Sequence, residues 1–135
     1  MKIYLFRVYL FFLILPTFMS VVAGESNDEA VEVSLVRLIA APGDFNGKRI
    51  IVTGFLYIGD EVAALYLTRD DARIGNRPSS VAIGTYKKGI VFPNHSFVRI
   101  VGTFHVEPSG HMGLWKSGIR DITSATNVRS RTLHE

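Results

Sequence analysis

Two runs of the chain, "KRIIVTGFLYIG" (48–59) and "FVRIVGTFHVE" (97–107), are rich in β-branched and aromatic residues, and each has a glycine at its centre. Strand side chains alternate between faces. With Gly54 aligned to Gly102, the residues Ile50, Val52, Leu56 and Ile58 fall into step with Val98, Ile100, Phe104 and Val106. These form the expected core face. The opposite faces carry Arg49, Ile51, Thr53, Phe55 and Tyr57 on one run, and Phe97, Arg99, Val101, Thr103 and His105 on the other. A glycine inside a strand weakens it unless the backbone must bulge, bend or be approached closely. Two such glycines in long strands predict strands that curl, which is the geometry of a closed barrel.

The remaining elements are shorter. "VSLVRLIAAPG" has helical spacing, with Ser34 as N-cap, Leu35, Leu38 and Ile39 on one face, and Pro42-Gly43 as the stop. A helix this short persists only when its apolar face docks. "VAALYLT" (62–68) follows the first run as the second arm of a hairpin, and "SSVAIGTY" (79–86) is a third strand. Between them, Thr68, Asp71 and Gly75 mark the cap and stop of one helical turn. Asp70 and Asp71 then read as carboxylates favoured by a helix start. "KKGIVFPNHS" is a loop, in which Lys87-Lys88 reads as a solvated turn. After the fourth strand (97–107), "PSG" is expected to turn directly into a fifth (111–123).

The first 24 residues read as a secretory signal peptide. Met1, Lys2 and Arg7 give a basic start, "VYLFFLILPTF" an apolar stretch interrupted by Pro16, and "MSVVAGES" a small-residue site for cleavage near Ala23 or Gly24. The apolar stretch is shorter than the ~20 residues of a spanning helix. Retention as an uncleaved anchor is the alternative. The expected address is the periplasm or the exterior.

Loss of Lys2 and Arg7 lowers Lys plus Arg from 15 to 13, against 12 Asp plus Glu. A near-neutral mature chain has no basic stripe to collect phosphates, which argues against nucleic acid. With no cysteine, disulfides, thiolate chemistry, a lipoprotein anchor and Cys-ligated zinc are excluded. Stability must come from an apolar core, and about 110 residues suffice for one. The expected organisation is a signal peptide (1–24), a flexible acidic lead-in (25–32), one domain (33–126) and a polar tail (127–135).

Five curled strands and a covering helix resemble an OB-like β-barrel. The segments "VSLVRLIAAPGDFNGKRIIVTGFL", "ALYLTRDD" and "FVRIVGTFHVEPSGHMGLWKSGIRDIT" further resemble a group of small exported bacterial proteins of uncharacterised function, over about Val33 to Thr123. The resemblance rests chiefly on "FNGKRIIVTGFL" and "GHMGLWKSGI". It implies a shared fold and export, and carries over no catalytic residue. The chain departs from the usual OB layout in having no helix pattern between the third and fourth strands.

Two constellations are candidates for function. Phe55, Tyr57, Arg99 and His105, on the non-core faces of their strands, put aromatic and cationic groups side by side, and Trp115 between Gly113 and Gly118 could add a stacking platform. Trp115 has a competing reading as a side chain filling the barrel end, and the helix bearing Leu35 and Leu38 is a competing cover for the other four. Separately, a tight Pro108-Ser109-Gly110 turn would bring His111 near His105 and Glu107, a donor set for zinc with an open position. The sequence has no G-x-S-x-G, no Gly-rich phosphate cradle and no H-E-x-x-H. The leading expectation is a non-catalytic binding or interaction module of the cell envelope, without cofactor, whose partner is a protein, a glycan or an envelope component. The alternative is a small zinc hydrolase built on His105, Glu107 and His111. A structural subunit of an envelope assembly is a third reading.

Overall fold

The computed structural model describes residues 29–129. The signal segment and its cleavage site lie outside them. The strands are β1 (Val31–Glu32), β2 (Arg49–Ile58), β3 (Ala63–Tyr66), β4 (Ser80–Ile83), β5 (Ser96–His105) and β6 (Gly118–Asn127), with helices α1 (Leu35–Ala40) and α2 (Arg69–Ile74). β2 pairs with β3, β3 with β4, β4 with β6, β6 with β5, and β5 returns to β2, closing a five-stranded barrel. The β4–β6 pairing is parallel and the other four are antiparallel. This is the OB-like barrel expected, with β1 added in parallel beside Ile50 and Ile51. The last two residues of the acidic lead-in are thus strand.

Closure depends on β2 serving both halves of the barrel. Its first half lies between β1 and β5, and its second half pairs with β3. Gly54 stands at the change. A Cβ there would lie 2.7 Å from Leu65 Cγ and 2.9 Å from Leu35 Cδ2, so glycine lets β3 and α1 close against the bend. Gly102 makes the matching approach to β6, where a Cβ would meet Ile119 Cγ2 at 2.6 Å and the Arg120 carbonyl at 2.9 Å. Opposite it, β6 bulges between Arg120 and Ser124, with Asp121 at φ 49°. Thr85 braces the bulge, its hydroxyl accepting from Asp121 N at 3.1 Å and its carbonyl from Ile122 N at 3.1 Å.

The main core is the expected face. Ile50, Val52, Leu56, Val98, Ile100 and Phe104 are buried, Ile58 packs against them, and Ile119 and Ile122 complete the fill from β6. Val106 departs from the expectation: β5 ends at His105, and Val106 is exposed. Ser34 caps α1 as expected, accepting from Arg37 N at 3.3 Å, and Leu35 and Leu38 enter the core. Thr68 caps α2, accepting from Asp71 N at 3.0 Å, and Gly75 ends it. Among the described residues no helix lies between β4 and β5. Ile90 and Phe92 of that connection instead pack on the core.

The expected "PSG" turn into a fifth strand is corrected. Residues 106–117 form a long connection in which Ser109 and Trp115 bridge each other, His111–Gly113 make a 3-10 turn, and β6 begins only at Gly118. Pro108 and three nearby glycines favour a compact loop over continued pairing.

Candidate functional site at the barrel end

The outer face of β2, β3 and β4 is not open. Phe55, Ala64, Tyr66, Ala72, Ala82 and Trp115 form a second apolar cluster outside the barrel, with Tyr57 and Val62 against it. α2 covers one part through Ala72, and the 106–117 connection covers another through Trp115. Phe55 meets the ring of Phe97 edge-on at 5.4 Å, beneath the Arg69 guanidinium at 5.6 Å. Trp115 Nε1 donates to Ser80 Oγ at 2.9 Å. Burial pushes the Tyr66 phenol above its ordinary value, the nearby Tyr57 adds to this, and Arg77 opposes it. In OB barrels generally this face and its flanking loops take oligonucleotides or sugars. Here the chain's own side chains occupy it.

The five residues expected to bind ligand are accordingly dispersed. Phe55 and Trp115 are buried in the second cluster. Tyr57 stacks on His95, with ring centroids 5.2 Å apart. Arg99 pairs with Glu32 of β1. His105 is half-buried at the end of β5, in register with Gly118. The zinc donor set is not assembled either. Glu107 pairs with Arg120, and His111 Nε2 lies 4.0 Å from Glu61 in the β2–β3 turn. No group of three His, Cys, Asp or Glu converges among the described residues. The long connection is the cause: it turns His111 away from the strand bearing His105.

The structure offers a different concavity. A cleft of about 510 Å³ opens where α1, the turn before β4 and the 106–117 connection meet. Its apolar wall is Ile39, Pro42, Val106, Leu114 and the edge of Trp115, and its cations are Arg77 and Lys116. Each piece has a local cause. Ile39 is the half-buried edge of the docked α1 face. Val106 is positioned by Asn46, whose Oδ1 accepts its N–H at 2.9 Å. Leu114 and Lys116 flank Trp115, which the paired backbone bonds to Ser109 (2.9 and 3.1 Å) hold in place. The Ser80 hydroxyl in the lining already donates to the Arg77 carbonyl at 2.9 Å. With two cations and no carboxylate or imidazole in the lining, the cleft is suited to holding an anionic, partly apolar group. Of this lining, sequence reading named only Trp115 as a binding candidate, because the residues come from three separated segments, 39–42, 77–80 and 106–117. The available signal was Trp115 between Leu114 and Lys116 in a Gly-rich loop.

Fold and site together define a small five-stranded β-barrel domain. Comparison with known protein families, curated proteins and solved structures gives no match.

Proposed function

We propose that this protein is an exported, non-catalytic binding module of the cell envelope, periplasmic or secreted, and that its partner enters the cleft between Ile39, Arg77 and Leu114. The observation that carries the reading is the contrast between the two surfaces. The strand face used by many OB barrels is filled by Trp115 and Tyr66, while the cleft beside it is open, of ligand-binding volume and lined without acids. The basic and apolar N-terminal segment supports export, as does the resemblance to small exported bacterial proteins.

The test pairs location with binding. Fractionation of cells expressing the full chain should recover it outside the cytoplasm, and retention in the cytoplasm would refute export. The purified full chain is then presented to displayed random peptides, a glycan array and phosphatidylglycerol vesicles. At least one should bind in a manner lost with Leu114→Asp. No cleft-dependent binding to any of the three would overturn the reading.

A further inference from the structure

We propose that the occupant of the cleft is an acidic, apolar peptide segment of a partner protein; this rests on the binding-module reading above. Charge supplies the first argument. Arg73, Arg99 and Arg120 each pair with a carboxylate of this chain, whereas Arg77 and Lys116 make no ion pair among the described residues. Both line the same acid-free cleft. Complementarity assigns negative charge to the occupant.

Size supplies the second. The exposed apolar surface is not confined to the cleft. Of the wall residues, Val106 is 40% exposed and Leu114 49%, and the same connection carries Met112, outside the lining and 83% exposed. That surface outruns a small molecule and suits a chain whose apolar side chain enters the cleft while its neighbours lie along the connection. The connection is braced by the Ser109–Trp115 bridge and by Trp115 on Ser80. The backbone that carries its apolar side chains is therefore preorganised, which lowers the ordering cost of association.

Other occupants fit less well. Stacking a sugar or a base needs an open aromatic face, and Trp115 is only 4% exposed. Attachment to an anionic lipid surface draws on several cations at roughly 1 kcal/mol each, and the cleft has two.

The experiment selects a displayed library of random twelve-residue peptides on the immobilised full chain. A synthetic copy of the leading peptide is then titrated by fluorescence anisotropy. Enriched peptides should combine Asp or Glu with Leu or an aromatic residue. Binding should weaken at least tenfold with Leu114→Asp and with the double variant Arg77→Ala/Lys116→Ala, and should be lost when the peptide's acids become lysines. Circular dichroism of each variant confirms its fold. Enrichment without acids, or binding indifferent to these variants, would overturn the proposal. Glycan or vesicle binding lost in Leu114→Asp, with no peptide selected, would overturn the peptide occupant and leave the binding module standing. No cleft-dependent binding of any kind would remove both.

Discussion

Trp115 and Ser80, 35 residues apart in sequence, are joined by a buried 2.9 Å hydrogen bond that fastens the 106–117 connection to β4. This bond closes the outer strand face and sets one wall of the cleft. Ser80→Ala leaves the indole N–H buried without its partner, at a cost of about 1–3 kcal/mol. Urea unfolding should show a lower midpoint with an unchanged slope. Trp115 is the only tryptophan, so its emission should move to longer wavelength as water reaches it.

The two mid-strand glycines should resist the smallest enlargement. Gly102→Ala forces a methyl to within 2.6 Å of Ile119 Cγ2 and 2.9 Å of the Arg120 carbonyl, and Gly54→Ala presses on Leu65 and the Tyr66 carbonyl. Overpacking of this kind costs about 1–3 kcal/mol. Thermal unfolding should rank both variants well below an alanine at Gly43, which has nothing within 4 Å.

Asn94 replaces a missing strand partner. Its side chain accepts from Ile58 N at 2.8 Å and donates to Ile58 O at 2.7 Å, fixing the end of β2 against the start of β5. Asn94→Asp keeps the acceptor and removes the donor, and Asn94→Ala removes both. Hydrogen exchange at Ile58 should accelerate modestly in the first and by more than tenfold in the second.

One acid dependence follows from α2. The hydroxyl of Thr68, then the amide of Asn76, hold the Asp71 carboxyl below the usual carboxylate range. A depressed folded value stabilises the native state above the unfolded value of about 4, and that contribution is lost as pH falls through the folded value. Asp71→Asn should therefore lower the urea midpoint at pH 7, and by less at pH 2. An equal effect at both would refute the assignment.

The barrel was legible because its core face alternates cleanly. Ile50 to Ile58 and Val98 to Phe104 declare their burial by period alone, and Gly54 and Gly102 disclose where the sheet bends. Ser34 and Thr68 announced their helices by cap chemistry. The site was less legible for a physical reason. In a closed barrel, outward positions such as Phe55 and Tyr66 look free, and nothing in their own spacing shows that α2 and Trp115 will cover them. His105, Glu107 and His111 looked convergent only on the premise of a tight turn at 108–110. The bridge between Ser109 and Trp115 replaces that turn with a loop, and the three side chains part.

A partner seated in the cleft leaves the outer strand residues untouched. Backbone amide shifts of the isotopically labelled chain, followed while the selected acidic peptide is added, locate it directly. The perturbed residues should cluster at Ile39, Arg77, Val106 and Leu114 to Ser117, with Tyr57, Arg99 and His105 unmoved. Perturbation centred on Tyr57, Arg99 and His105, with the cleft silent, would contradict this placement.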